Sequence, residues 1–259
     1  QFTDANYVLH ILDKECIDTE YLVDFIDFLE REKPNFGLVD IFGRNTTERF
    51  CKYSKGVSSI LNGGGRGDTH PSGFYYRKDL YSLEYERIKP IIKDGNLWVL
   101  DIVSAGLGAR YDSVVYYKPF ITYNKSEILS GKTMSPYTDK TIYWYGGKRI
   151  DSLNLFIKTI ITQNEIGRIE KEHILYSMLE GHLLNMVWTQ VVFFQDKQRC
   201  NHYGIETRKI KAKESINWMN CMIKDFCKEV KYNIPLRFLK LSIIYVKGLR
   251  SIALLNRTK

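Results

Sequence analysis

"NYVLHILDKECID", residues 6–18, is the stretch on which the fold turns. Its apolar run Tyr7-Val8-Leu9-His10-Ile11-Leu12 reads as a buried strand. Three acids follow within six residues, two of them as Asp13-Lys14-Glu15. Two readings are open. In one, Asp13 and Glu15 are solvated acids ahead of a helix capped by Asp18. In the other, two carboxylates one residue apart at a strand end point to the same side, as a divalent cation bridging two phosphates requires.

Working outward, "DTEYLVDFIDFLERE" (18–32) reads as a helix with Asp18 as N-cap. Tyr21, Leu22, Phe25, Ile26 and Leu29 form its apolar stripe, and Pro34 lies beyond its end. "FGLVDIFG" (36–43) is a second short strand. Strand, helix and strand with short links predict an α/β domain. "NGGGRGD" (62–68) is too rich in glycine for regular structure and reads as a loop. "GFYYRKDLY" (73–81) follows, then a helix-like piece over 85–92. "NLWVLDIVSAGLGA" (96–109) is a helix or buried segment closing on glycines, and "DSVVYYKPFITYN" (112–124) is a strand broken at Pro119. Residues 125–148 read as a long mobile loop. From Ile150 onward the apolar spacing is helical, which predicts an α/β region over 1–149 and a helical region over 150–259.

Among 259 residues, a hydrophobic content of 44% is enough for a full core. The net charge of +8 points to acidic partners such as phosphates, nucleotides or anionic lipid. The basic residues form no dense arm, so no nucleic acid is expected as partner. The five cysteines are odd in number and include no CxxC pair, which argues against a disulfide framework or a zinc site. No uncharged run of 18 residues is present to span a bilayer.

Two further clusters carry chemistry. In "HPSGFYYRKDL" (70–80), Pro71 and Gly73 fix a turn, His70 offers a switchable nitrogen, and Arg77 and Lys78 offer positive charge. The plain alternative is a turn into a strand. Asp101 lies among Trp98, Val99, Leu100, Ile102 and Val103, where burial would raise its pKa as suits a general base. The alternative is an acid at a helix start. Gly63, Gly64 and Gly65 are candidates to let backbone N–H groups approach phosphate, or simply a linker.

Taken in order, "NYVLHILDKECID", "LEREKPNFGLVDI", "HPSGFYYRKDL", "LWVLDIVSAG" and "VVYYKPFITYNKSEILSGKTMS" resemble the later two-thirds of a bacterial family 2 glycosyltransferase. These are GT-A (Rossmann-like) enzymes of capsular and lipopolysaccharide synthesis. "CNHYGIETRKI" (200–210) resembles the helical tail of capsular members. The family's Asp-x-Asp resembles Asp13-Lys14-Glu15, with Glu in second place. The resemblance implies a metal pair in which Glu15 holds Mn²⁺ or Mg²⁺ on the donor diphosphate while Asp13 faces the sugar nucleotide. It makes Asp101 the catalytic base. It places the turn with His70, Ser72 and Gly73 at donor or acceptor binding. Arg77 and Lys132, with Arg66, are candidates for phosphate contact, the alternative for each being a solvated surface role. The "KPFITY" strand and the Ser/Lys-rich segment after it resemble the part that folds over the donor. Family members begin with a strand–helix unit that binds the base, and nothing like it precedes Gln1; those residues are expected to exist in the native protein.

The implied activity is inverting transfer of a sugar from a nucleotide-diphosphate donor to a hydroxyl of a surface-glycan or lipid-linked acceptor. A basic nucleic-acid-binding module and a metal-dependent nucleotidyltransferase are the alternatives. The tail helix, residues 235–256, carries an apolar face edged by Arg237, Lys240 and Lys247. It reads either as a peripheral membrane contact or as a helix packed on its own domain. The expected location is cytoplasmic, with peripheral contact to the inner face of the membrane.

Overall fold

The computed structural model describes residues 5–12, 15–41, 46–65, 72–92, 98–123, 142, 144–230 and 234–257. The strands are β1 (Tyr7–Leu9), β2 (Glu15–Ile17), β3 (Phe36–Val39), β4 (Phe50–Tyr53), β5 (Phe74–Arg77), β6 (Ser113–Tyr116) and β7 (Ile121–Tyr123). The helices are α1 (Thr19–Glu32), α2 (Val57–Asn62), α3 (Lys78–Ile88), α4 (Val99–Gly108), α5 (Gly146–Ile161), α6 (Arg168–Phe193), α7 (Lys197–His202), α8 (Ala212–Glu229) and α9 (Ile234–Arg257). The fold is α/β, with a central sheet followed by C-terminal helices. It divides into two compact units. The first is Gln1–Asp94, Trp98–Asn124 and Thr159–Ile174; the second is Gly95–Leu97, Lys125–Lys158 and Leu175–Lys259.

The sheet of the first unit has the order β1-β5-β3-β6-β4, with β3 and β6 parallel and the other pairs antiparallel. Alternation along each strand divides two cores. Tyr75, Val114 and Tyr116 meet Phe25 and Phe28 of α1 on one face. On the other, the Tyr76 hydroxyl donates to Leu100 O of α4 at 2.9 Å and stands 3.0 Å from Ser104 Oγ. Gly37 makes a crossing bond in this sheet possible. The Tyr75 hydroxyl passes over it to donate to Val114 O at 2.8 Å, and a Cβ at Gly37 would fall on that carbonyl oxygen.

The helix over 18–32 forms as the sequence predicts, with the Asp18 carboxylate accepting the Glu20 N–H at 3.0 Å. Its buried side is different from the expected stripe. Phe25 and Phe28 are buried, whereas Tyr21 and Ile26 are exposed, because the sheet meets α1 along positions 22, 25, 28 and 29. The glycine run is neither linker nor phosphate cradle. Gly63 and Gly65 donate to Ser59 O and Ile60 O, and all three glycines are buried. A Cβ at Gly65 would stand 2.9 Å from the Ala105 Cα of α4, so these glycines set how closely α2 and α4 approach. The segment 73–81 splits into β5 and the start of α3, seven residues ahead of the helix expected there.

In the second unit, Ile142 and Trp144 are fully buried against Val191, Phe194, Cys200, Ile205 and Ile210. The end of the stretch expected to be a mobile loop is therefore core at these positions; 124–141 and 143 lie outside the described residues. Arg208 stacks its guanidinium 4.5 Å from the Phe194 centroid while forming a double hydrogen bond to Glu214.

Candidate functional site

The first strand leads into the site through its backbone. Beyond β1 the ladder to β5 continues, with His10 N–H donating to Phe74 O at 2.8 Å and Gly73 N–H to His10 O at 2.9 Å. Two residues on, one amide is shared. Leu12 N–H donates to Ser72 Oγ at 3.0 Å and to Glu15 Oε2 at 3.2 Å, while Leu12 O accepts the Glu15 N–H at 3.1 Å. That junction gathers the strand end, the Glu15 carboxylate and the turn ahead of β5. Gly73 has φ +91°, which favours glycine, and a Cβ there would lie 2.8 Å from Val39 O. Ser72 beside it is buried.

Glu15 opens β2, which pairs antiparallel with β7 in a separate two-stranded ribbon, Glu15 opposite Tyr123. Asp18 N–H donates to Phe120 O at 2.8 Å. The "KPFITY" segment thus clamps the strand carrying the carboxylate.

His10 stands between two tyrosines, 5.8 Å from the Tyr76 ring and 5.4 Å from Tyr81, centroid to centroid. Burial pushes its imidazole below the ordinary value of 6.5. Tyr76 extends this contact towards α4 through its bond to Leu100 O. Its phenol is pushed well above the ordinary value, chiefly by burial, with the Asp101 charge adding to the rise. Asp101 occupies the third position of α4, where a carboxylate suits the unpaired N–H groups of a first turn. It is only 2% exposed.

The structure therefore brings Glu15, Ser72 and Gly73 together. Asp101 is a residue of α4, next to the Leu100 whose carbonyl accepts from Tyr76. Arg77 stands apart, at the other end of β5 from Gly73. Its guanidinium holds both Asp79 oxygens, at 2.7 and 2.8 Å, and reaches Asn35 Oδ1 at 3.4 Å. An open groove of about 1080 Å³ lies at that end, lined by Tyr7, Leu29, Lys33, Arg77 and Ser82 among others, and includes none of Glu15, Ser72 or Asp101. Its size alone does not outweigh the chemistry of the junction. Asp13, Arg66, His70 and Lys132 lie outside the described residues. Sequence reasoning passes over His10, Tyr76 and Tyr81 as site neighbours. The visible signal was a polar imidazole inside an apolar strand three residues ahead of Asp13. Among the described residues no group of three His, Cys, Asp or Glu side chains is placed to hold a metal ion, and Glu15 is the described member of the expected carboxylate pair.

No protein-family model and no curated protein matches the chain. Among solved structures it is similar to S. aureus TarS residues 1–349, a staphylococcal wall teichoic acid glycosyltransferase. The TM-score is 0.52 at 14% identity, over 99% of this chain and 67% of that one. At that identity the likeness shows a shared fold.

Proposed function

We propose that this chain is an inverting glycosyltransferase of family 2 type. It moves a sugar from a nucleotide-diphosphate donor to a hydroxyl of a surface-glycan or lipid-linked acceptor. The observation that carries this reading is the Leu12 amide, which holds the Glu15 carboxylate and the Ser72-Gly73 turn at the end of one strand. That arrangement occurs in a fold shared with a solved glycosyltransferase. Glu15, with Asp13, would hold Mn²⁺ or Mg²⁺, whose charge would offset that of the departing diphosphate. Ser72 and Gly73 would border the donor from the turn side. Asp101 would accept the proton of the attacking hydroxyl, which leaves as the new glycosidic bond forms on the face opposite the breaking one.

The test is Asp101→Asn, which removes the proton acceptor and keeps the shape. Turnover should fall by about 10²-fold or more, with donor affinity and melting temperature nearly unchanged. Near-normal turnover would remove Asp101 as base, and a large drop in melting temperature would make it a structural first-turn acid instead. Release of nucleoside diphosphate in the wild-type reaction identifies sugar transfer; release of pyrophosphate would identify nucleotidyl transfer.

A further inference from the structure

The helix α9 has two unlike sides. One packs within its unit: Ile244 and Ile252 are buried, and Gly248 lies so close to Leu183 that a Cβ would stand 2.8 Å from its Cδ2. The other side faces outward and is apolar. Phe238 (68% exposed), Val246 (62%) and Leu239 (59%) share it with Ile243, Leu249 and Leu254. At 100° per residue these six fall within one half of the helix surface. A surface helix normally turns charge to that side, so the apolar half asks for a partner.

Charge indicates which one. Residues 234–257 contain no Asp or Glu and five basic residues: Arg237, Lys240, Lys247, Arg250 and Arg257. Three are engaged within the unit. Arg237 donates to Cys227 O at 2.8 Å, Lys240 lies 4.9 Å from the Tyr176 centroid, and Lys247 meets Glu180 at 2.5 Å. Arg250 is exposed and falls among the apolar side chains of the outward half. A second copy of this helix, laid face to face, would bring no acid to pair with Arg250. An anionic lipid surface takes both features at once, accepting apolar side chains below the headgroups and guanidinium at the phosphate level. No described helix is long and apolar enough to cross a membrane, which suits a helix lying in the surface plane.

We infer that the outward half of α9 docks the protein on an anionic bilayer, seating Phe238, Leu239, Ile243, Val246 and Leu249 below the headgroups with Arg250 among the phosphates. The inference stands independently of the catalytic reading, and its test uses no activity.

The full chain is sedimented with vesicles of phosphatidylglycerol and phosphatidylcholine, and with phosphatidylcholine alone. Binding to the anionic vesicles is expected, weakened by salt and weaker on the neutral ones. The pair Phe238→Glu and Val246→Glu changes only exposed positions, so the fold should survive, as circular dichroism would check, while vesicle binding falls at least tenfold. Wild-type protein left in the supernatant, or a doubly substituted protein that sediments normally, overturns the inference. So does a concentration-dependent dimer that the two glutamates dissolve without any vesicle binding, because the face would then belong to a second copy.

Discussion

His10 and Glu15 are five residues apart, and the fold uses them in opposite ways. Glu15 bonds back to the Leu12 amide at the end of a strand, while His10 turns its ring into an aromatic pocket beside Tyr76 and Tyr81. Burial holds that imidazole below its ordinary value of 6.5. The sign follows directly. Below that value the unfolded chain takes up a proton that native His10 resists, so stability is intact above pH 6.5 and declines as pH falls toward the lowered native value. His10→Gln should remove this component. The wild-type melting temperature should drop between pH 7 and about 5.5 more than the variant's does. Parallel curves would mean that His10 is not held neutral by its pocket. At this scale the candidate site was only half legible. The Asp13/Glu15 spacing shows in the letters, but the shared Leu12 amide links residues 60 positions apart and depends on how the chain returns.

Helix α3 shows why some elements escape a reading of the sequence. Its buried positions are Leu80, Glu84 and Ile88, at perfect helical spacing, but the middle one is an acid. A search for apolar periodicity loses a turn there and sees only the later end of the helix. In the fold Glu84 pairs with Arg110, beyond the end of α4, and its other oxygen lies against Gly106 of α4. A Cβ at Gly106 would fall on that oxygen, so the glycine in "SAGLG" makes room for a buried carboxylate. Gly106→Ala should therefore push Glu84 from its partner, at a cost of about 3 kcal/mol by denaturant unfolding. The same substitution in a Glu84→Ala background should cost at least about 1 kcal/mol less, because the obstructing carboxylate is gone. Strict additivity would show that Gly106 serves backbone packing alone. Helix α1, by contrast, was legible from end to end: its cap, length and stop are local chemistry.

Across the whole molecule, part of the order of elements is written in the sequence, but β2, β4 and α2 are not, and neither is the order of strands. The pattern strand, helix, strand over residues 6–43 implies an α/β region, yet nothing in it says that β5 inserts between β1 and β3, antiparallel to both. That insertion sets the Ser72-Gly73 turn beside the end of β1, and any ligand site at this end depends on it. A net charge of +8 gives a weak, general attraction for every nucleotide anion, so binding alone would identify nothing. Selectivity and metal dependence would. In a thermal-shift comparison of UDP-, GDP-, CMP- and dTDP-sugars at 0.15 M salt, one nucleotide class should stabilise the chain, and only with Mn²⁺ or Mg²⁺ present. At ten times its dissociation constant a ligand adds about 1.4 kcal/mol, which for a chain of this size is a rise of about 3 to 5 °C. Glu15→Gln should abolish the metal-dependent part while leaving the melting temperature without ligand nearly unchanged, since the amide oxygen can still accept the Leu12 N–H. Equal shifts from all four nucleotides, with or without the cation, would reduce the effect to net charge and remove the carboxylate at the strand end from donor binding.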